Sequence, residues 1–227
     1  GIAVLDLTQI YNGPYCTLLM ALAGAEVIKI EPPGGELMRI RPNVMPFAML
    51  NSNKQSMVLN LKTARGRELM LQLAEKADVV VENFAPGVMD RLGVGYAALS
   101  ARNARIILAS GSGFGSSGPY RDHPAMDVVI QAMSGAVAIT GFADGPPVKA
   151  GPAVCDFFGG IHLYGAIMTA LFDVQRTGQG RAVEVAMLDA MFYSLASHLG
   201  MYFASGAAPR TGNRHGGMSI APYSIYP

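Results

Sequence analysis

The sequence has few charged residues, only two cysteines and no tryptophan. Charged residues make up 15% of the 227 residues, and 17 basic side chains are nearly balanced by 16 acidic ones. A formal net charge of +1 produces no long-range field that would attract a polyanion. We therefore expect no nucleic-acid partner and no membrane partner. The hydrophobic fraction of 51% excludes intrinsic disorder and indicates that a partner chain covers part of the surface.

Recognisable metal and targeting motifs are also missing. Cys16 and Cys155 form no CxxC motif, and this usage fits a reducing, cytoplasmic compartment. The four histidines lack metal-ligand spacing, so no metal site is expected. The sequence shows no signal peptide, and its longest apolar stretch, residues 161–172, is too short to span a bilayer. Because the chain starts at Gly1 without a methionine and stops at Pro227, we expect it to be part of a longer protein.

Short apolar strands alternate with helices in the first half of the chain. The pattern predicts strands at residues 2–7, 26–30, 57–61, 78–82 and 105–110, with an irregular segment at 34–56. It predicts a helix from Pro14 to Gly24 with an apolar face of Leu18, Leu19 and Leu22, and a second helix capped by Thr63. This alternation is typical of an α/β fold with a Rossmann-like parallel sheet layer and flanking helices.

The second half of the chain is richer in helix. Helices are predicted at residues 127–138, 159–175 and 188–204, with one strand at 181–185. Residues 206–217 form a polar, glycine-rich segment. We expect residues 1–205 to form the N-terminal part of a Rossmann-like large domain. Residues 206–227 are then a glycine-rich loop and the start of a linker to a further C-terminal region.

One glycine motif imitates a dinucleotide-binding fingerprint. Gly113, Gly115 and Gly118 match GxGxxG and follow a predicted strand. The fingerprint also requires a helix to begin there, and Pro119 and Pro124 prevent this. We therefore expect no nicotinamide cofactor.

Asp156 is the main candidate for chemistry. It lies in an apolar, glycine-flanked turn, residues 151–160, before a predicted helix. One interpretation is an ordinary helix N-cap. The other is a nucleophile that a substrate carbonyl can approach closely, with helix N–H groups stabilising the developing oxyanion. The neighbouring Cys155 is expected to be a buried structural thiol.

A series of motifs, taken in order, resembles class III CoA-transferases, the CaiB–BaiF family. They are DLT…GP (6–14), LAGAEVIKIE (22–31), NxNKxS (51–56), LNLK (59–62), ADVVVENF (77–84), PG…RLG (86–93), QAMSG (131–135) and TG…DGPP (140–147). The resemblance extends over essentially the whole chain. It implies the large domain of that family, an interlocked homodimer, and substrates that are an acyl-CoA and a small carboxylic acid. It implies no permanently bound cofactor.

By position, Asp156 matches the catalytic aspartate of the family. There the aspartate attacks an acyl-CoA thioester, giving a mixed anhydride and free CoA thiolate. The thiolate attacks the anhydride, which releases the donor acid and leaves a β-aspartyl-CoA thioester. The acceptor carboxylate then repeats the sequence in reverse. The mechanism requires an ionised carboxylate, so burial without hydrogen-bond donors would work against it.

The resemblance also implies which residues contact CoA. Tyr11 and Asn12 occupy the position at the thiol end of the pantetheine. Positions around the nucleotide and its phosphates are matched by Leu59, Lys62, Asn83, Phe84 and Arg91. Pro32 stands where a member of the family carries an arginine, which puts one adenine-side contact in question.

Met126 and Asp127, which we also assign to the CoA site, separate two branches of the family. The α-methylacyl-CoA racemases resemble Gly-His-Asp where this chain reads Ala125-Met126-Asp127. Racemisation needs a base and an acid on opposite faces of the α-carbon, and Met126 cannot transfer a proton. The sequence therefore favours a CoA-transferase, with the racemase as the alternative. A non-catalytic CoA-binding protein is the second alternative.

Overall fold

The computed structural model describes residues 1–217 and 220–226. Its strands are β1 (Ala3–Asp6), β2 (Glu26–Glu31), β3 (Gln55–Val58), β4 (Val79–Glu82), β5 (Ile107–Ser112) and β6 (Ala182–Ala186). They form one sheet in the order β3-β2-β1-β4-β5-β6, and every neighbouring pair is parallel. This is the strand order of a Rossmann fold, so the predicted fold class is confirmed.

Helices connect the strands on both faces of the sheet. In the described part of the chain they are α1 (Asn12–Leu22), α2 (Met45–Asn51), α3 (Ala64–Ala74), α4 (Val88–Arg91), α5 (Tyr96–Arg102), α6 (Asp127–Met133), α7 (Ala136–Ile139), α8 (Val154–Thr177), α9 (Met187–Phe192) and α10 (Ala196–Ser205). A short 3₁₀ turn joins α9 to α10, where the sequence predicts one helix. The predicted Thr63 cap is confirmed, since its side chain accepts a hydrogen bond from the Gly66 N–H.

Side chains alternate along the central strands and fill one core on each face of the sheet. The first core joins the strands to α1 and α8 and includes Val4, Val79, Val81, Ile107, Met20, Leu163 and Ile167. The second joins them to α3 and α5 and includes Leu5, Val80, Leu108, Met70 and Leu99. Because both faces are covered, the central strands are apolar on both sides, which explains their unbroken apolar runs in the sequence.

The third strand and the segment before it differ from the prediction. The sequence predicts the strand at residues 57–61, whereas β3 begins at Gln55 and ends at Val58. The predicted irregular segment 34–56 contains α2 and the start of this strand. β3 lies at the edge of the sheet and all four of its residues are exposed, so no burial pattern marks its ends.

The predicted apolar face of α1 is wrong at Leu22, whereas Leu18 and Leu19 are half-buried. Leu22 is 68% exposed, while the buried side of the helix is formed by smaller or more flexible side chains, including Cys16 and Met20. α1 and α8 cross closely at the start of α1, where a Cβ atom on Gly160 of α8 would lie 2.6 Å from the Asn12 carbonyl oxygen. At this point there is no room for a side chain on α8.

α8 is long and apolar enough, by length and composition alone, to cross a membrane. It is a continuous helix of 24 residues that contains the apolar stretch 161–172. It packs against α1, β5 and β6, and Leu163 and Ile167 on its inner side are fully buried. The packing of this inner side on the sheet accounts for the apolar residues that it carries.

The glycine-rich segment contacts the loop that follows α7. The Arg210 side chain donates hydrogen bonds to the carbonyl oxygens of Phe142, Ala143 and Gly145. The Gly212 N–H donates to a neighbouring carbonyl oxygen in the same loop. The division into a large domain, residues 1–205, and a linker, residues 206–227, stays a prediction. Residues 218, 219 and 227 of the linker lie outside the described residues.

Candidate active site

The loops after β1 and β4 meet at the carboxyl edge of the sheet. The strand order reverses between these two strands, and open α/β sheets bind ligands at such a point. Asn83, which follows β4, joins the loops. Its Oδ1 accepts the Gln9 N–H at 2.8 Å, and its Nδ2 donates to the Gln9 carbonyl oxygen at 2.8 Å. The side-chain amide of Asn83, a predicted CoA contact, is therefore occupied by the neighbouring loop.

The turn between β1 and α1 is strained at Ile10. This residue has a φ of 69°, in the left-handed region that β-branched side chains rarely adopt. Such a conformation costs about 1–3 kcal/mol and persists only where the surroundings enforce it. Here the Ile10 N–H donates to Glu36 Oε1 at 2.9 Å, while Gln9 is held by Asn83. The turn is thus fixed from two sides, and no sequence pattern indicated the contribution of Glu36.

Tyr11 and Asn12, which follow the strained turn, contact the first turn of α8. Asn12 is buried, and its Nδ2 donates to the Asp156 carbonyl oxygen at 3.4 Å. A Cβ atom on Gly111 or Gly159 would lie within 2.4 Å of this amide, so the two glycines provide its space. The Tyr11 and Phe157 rings stack with their centroids 6.2 Å apart. The structure therefore brings both predicted thiol-end residues to the helix that carries Asp156.

Asp156 lies in the first turn of α8, and the N-cap residue of this helix is Ala153. The N-cap interpretation of Asp156 is therefore wrong. Asp127 at the start of α6 does the capping from a neighbouring helix. Its Oδ1 accepts the N–H groups of Cys155 and Asp156 at 2.8 and 3.3 Å, and its Oδ2 accepts from Gln131 Nε2 at 2.6 Å.

The remaining N–H groups of this turn are also bonded. Val154 donates to the Pro152 carbonyl oxygen, and Phe157 donates to the Ala153 carbonyl oxygen. The first four N–H groups of α8 thus all have acceptors within the chain. The expectation that these groups stabilise an oxyanion is therefore wrong for this conformation.

The Asp156 carboxyl is partly buried and lies near a second carboxylate. Burial raises its pKa to about 7, and the negative charge of Asp127 adds to the shift. Among the described residues, no hydrogen-bond donor reaches its carboxyl oxygens. At neutral pH a substantial fraction of such a group is ionised, and this fraction is poorly solvated and basic. Burial, Asp127 and Asp156 also raise the pKa of Cys155 to about 12, so its thiol stays protonated.

Phe84 borders several clefts at this edge of the sheet, and two of them are also lined by other predicted CoA contacts. One has a volume of about 420 Å³ and is lined by Leu59 and Lys62 together with Glu36. The other has a volume of about 540 Å³, and its lining residues include Asn83, Arg91, Arg121 and His123. No role was predicted for Glu36 or Arg121, because each lies in a segment without regular periodicity.

The predicted site residues therefore form three groups. Asp156, Asp127, Tyr11 and Asn12 lie together at the first turn of α8. Leu59 and Lys62 line one cleft, Asn83 and Arg91 line the second, and Phe84 lines both. Met126 is 57% exposed at the N-cap of α6 and joins none of the three groups.

A buried ionic cluster lies at the end of β1 beneath the crevice. Asp6 is fully buried, and its carboxylate accepts hydrogen bonds from Thr8, Thr17 and Lys54, the last at 3.0 Å. Lys29 lies 3.9 Å from the same carboxylate. Burial alone would raise the pKa of Asp6, but the two lysine charges and the hydroxyl hydrogen bonds hold it below its usual value.

The NxNKxS motif supports this cluster. Asn51 accepts a hydrogen bond from Lys54, and Asn53 adopts a φ of 62° and donates to the Ala21 carbonyl oxygen. The Ser56 hydroxyl donates to Glu31 at the end of β2. This motif therefore fixes the carboxyl ends of β1 and β2.

Comparison with known proteins gives concordant results. The family model described as "CoA-transferase family III" matches residues 1–227. An acetyl-CoA:oxalate CoA-transferase of Acetobacter aceti is 44% identical over 234 residues, which cover all of this chain and 60% of the relative. A succinyl-CoA:mesaconate CoA-transferase of Haloarcula marismortui is 40% identical, covering 98% of this chain and 60% of the relative.

A solved structure extends this similarity to the fold. The crystal structure of a CAIB/BAIF family protein from Brucella suis matches with a TM-score of 0.92 and 37% identity. The match covers 99% of this chain and 62% of the solved chain. The chain spans about 60% of the length of the two curated relatives. Because the family model matches from the first residue to the last, and the relatives agree with it, the chain belongs to CoA-transferase family III.

Proposed function

We propose that the protein transfers CoA from an acyl-CoA to a free carboxylic acid, with Asp156 as the nucleophile. The observation that carries this proposal is the state of the Asp156 carboxyl. It lies in a helix turn contacted by Tyr11 and Asn12, and its pKa is raised to about 7 by burial and by Asp127. Burial without hydrogen-bond donors reduces the ionised fraction, but with a pKa of about 7 a substantial part of the group is ionised at neutral pH. The basicity of this ionised carboxylate suits it to attack a thioester.

The proposed reaction proceeds by exchange of acyl groups at Asp156. A carboxylate oxygen attacks the thioester carbonyl, a C–O bond forms, and the C–S bond breaks to release CoA thiolate. The thiolate then attacks the Asp156 carbonyl carbon of the mixed anhydride, which expels the donor acid and leaves a β-aspartyl-CoA thioester. The acceptor carboxylate reverses both steps. Every step exchanges one acyl derivative for another, so no external energy source is required.

The relatives suggest the class of acceptor acid. Their names give oxalate and mesaconate as acceptors, and acetyl-CoA and succinyl-CoA as donors. We propose that this protein likewise uses a short acyl-CoA and a small dicarboxylic acid. CoA itself is then a substrate and not a resident cofactor.

An α-methylacyl-CoA racemase is the alternative, and Met126 counts against it. Its thioether cannot move a proton, and its side chain is largely exposed at the start of α6. His123, the histidine that comes before it in the chain, lines the cleft beside Arg91. The non-catalytic alternative, a protein that only binds CoA, predicts no chemical change in either substrate.

One experiment separates the three alternatives. Full-length protein is incubated in deuterated water with a panel of acyl-CoAs and small acids, and the products are followed by mass spectrometry. We expect new acyl-CoAs that carry the acceptor acid, without deuterium at the α-carbon of the donor. Rapid α-deuteration without transfer would instead establish a racemase, and unchanged substrates would establish binding alone.

Lys62 and Arg91 are expected to bind the phosphate groups of CoA. Each lies on one of the two clefts beside Phe84, and fixed cations suit the pyrophosphate and the 3′-phosphate. We expect Lys62→Gln and Arg91→Gln each to raise the CoA dissociation constant about tenfold or more. Dephospho-CoA should be affected less at whichever residue contacts the 3′-phosphate.

Calorimetry measures these affinities, and two exposed cations serve as controls. Lys76→Gln and Arg176→Gln remove charges from surfaces that line neither cleft. They should leave CoA affinity within about twofold, because exposed charges at a distance are screened by salt. Unchanged affinity in both Lys62→Gln and Arg91→Gln would show that these side chains are ordinary surface charges.

We also propose an interlocked homodimer in a reducing, cytoplasmic compartment. Large apolar side chains on the outer side of α8 and on α10 are exposed, among them Ile161, Phe172 and Phe203. A surface of this kind is typical of an interface between chains. The two free thiols, Cys16 and Cys155, are both buried and support a reducing compartment.

A further inference from the structure

Glu36 is a buried carboxylate that reaches from the loop after β2 to the turn before α1. It is only 2% exposed, although its segment lies at the protein surface. Its backbone N–H donates to Glu31 Oε2 at 2.9 Å, and its Oε1 accepts the Ile10 N–H at 2.9 Å. Its Oε2 is buried and has no hydrogen-bond partner in the part of the chain that the structure describes.

The loop around Glu36 is itself firmly held. Arg39 donates to Glu31 Oε2 at 2.8 Å, and its guanidinium lies 4.1 Å from the centre of the Phe47 ring. The hydrogen bonds to Glu31 raise the pKa of Arg39, and the negative charge of Glu36 adds to that shift. Burial alone would raise the pKa of Glu31, but the hydrogen bonds from Arg39, the Glu36 N–H and Ser56 lower it to about 2. The guanidinium therefore compensates the buried carboxylate of Glu31.

We infer that Glu36 is a positioning residue: it holds the left-handed turn at Ile10 and thereby places Tyr11 and Asn12 against the helix turn that carries Asp156. Three contacts, made by consecutive residues of this turn, support this role. Glu36 bonds the Ile10 backbone, Tyr11 stacks on Phe157, and Asn12 bonds the Asp156 carbonyl oxygen. Without an acceptor for its N–H, Ile10 is free to leave a conformation that its branched side chain disfavours.

Glu36 also lines the cleft of Lys62 and thus connects this cleft with the turn at Ile10. The same carboxylate borders the cleft proposed for the nucleotide and supports the turn next to the nucleophile. A direct contact with CoA is the competing interpretation. It would act on affinity, whereas positioning of Tyr11 and Asn12 acts on the chemical step.

The inference rests on the proposed function, and its test uses full-length protein with two kinds of readout. Glu36→Ala and Glu36→Met remove the acceptor, the second with less loss of volume, and Glu36→Gln retains an oxygen that can accept the Ile10 N–H. Glu26→Gln, an exposed carboxylate at the start of β2, is the matched charge control. We measure kcat and KM for transfer, and the dissociation constant of adenosine 3′,5′-bisphosphate as a probe of the nucleotide cleft.

We expect kcat to fall about tenfold or more in Glu36→Ala and Glu36→Met, with nucleotide affinity within about twofold of wild type. Glu36→Gln should recover most of the lost kcat, and Glu26→Gln should match wild type. Hydrogen exchange of the peptide that contains residues 8–12 should be faster in the Ala and Met variants and close to wild type in the Gln variant.

Two results would overturn the inference. One is wild-type kcat in both variants that lack the acceptor, and the other is a loss confined to nucleotide affinity, which would make Glu36 a ligand contact. If Glu36→Ala does not fold, Glu36→Met decides. Failure of the proposed function is recognised separately, because wild-type protein would then transfer no CoA. In that case hydrogen exchange alone decides whether Glu36 holds the turn.

Discussion

Replacing Asp156 with asparagine should abolish CoA transfer while leaving the protein folded. The amide is nearly the same size as the carboxyl but carries no charge and cannot form the anhydride. The loss of a nucleophile typically lowers kcat by at least about a thousandfold. The helix should not be affected, because its N-terminal N–H groups are capped by Asp127 and not by Asp156.

The same variant has a consequence for stability that depends on pH. The pKa of Asp156 is raised from 3.8 to about 7 in the folded protein, mainly by burial. Ionising this carboxyl therefore destabilises the folded state as pH rises from about 4 to 7, and each pKa unit corresponds to about 1.4 kcal/mol. A neutral amide carries no such cost at any pH. Asp156→Asn should therefore be as stable as wild type at pH 4 and more stable at pH 8.

Activity assays and urea unfolding at both pH values check these expectations. Glu26→Gln, which alters an exposed carboxylate that lines neither cleft, is the control and should change neither quantity. Wild-type protein with acyl-CoA should also form a hydroxylamine-sensitive adduct on the peptide that contains Asp156. An Asp156→Asn protein that transfers CoA at the wild-type rate would refute the mechanism, and a variant less stable than wild type at pH 8 would refute the electrostatic account.

The central part of the fold could be predicted because its signals are local. Each inner strand of the sheet is a short apolar run followed by a turn, and both of its faces are buried against helices. β3 and α2 lack such a signal, because the strand is exposed at the edge and the helix buries little of its surface. Periodicity reports burial, so elements with little burial are placed poorly.

Most of the predicted site residues lie on the first turn of α8 or on the two clefts, but the contacts that they make could not be predicted. Asp127, which we assign to the CoA site, caps a helix 28 positions further along the chain. Asn83, which we assign to the same site, bonds through its amide to a loop 74 positions away. Such contacts join segments that lie far apart in the chain, and no local pattern of residues encodes them. The role of Glu36 could not be predicted for the same reason.

The other large effect is expected at Asp6, beneath the crevice. Its carboxylate is fully buried, and both Lys29 and Lys54 lie within 4 Å of it with side chains only 1% exposed. Removing the carboxylate leaves two buried cations without their counter-charge, which typically costs about 3–5 kcal/mol of stability. We therefore expect Asp6→Ala to lower the free energy of unfolding at neutral pH by this amount. The exposed Asp144→Ala is the control and should change it by less than about 0.5 kcal/mol.

A double-mutant cycle with Lys54→Met tests whether the charge pair is the cause. Each single variant removes one partner of the Asp6–Lys54 pair and leaves the other charge buried, whereas the double variant removes both. The loss of stability in the double variant should therefore be smaller than the sum of the losses in the two single variants. The effect should also depend on pH. Because the pKa of Asp6 lies below 3.8 in the folded state, its contribution is complete above the unfolded pKa and is lost as pH falls through the folded value. Urea unfolding should therefore show the difference between wild type and Asp6→Ala shrinking only in strong acid. A cost that is strictly additive in the cycle, or that already disappears at pH 5, would mean that packing and not charge holds this end of β1 in place.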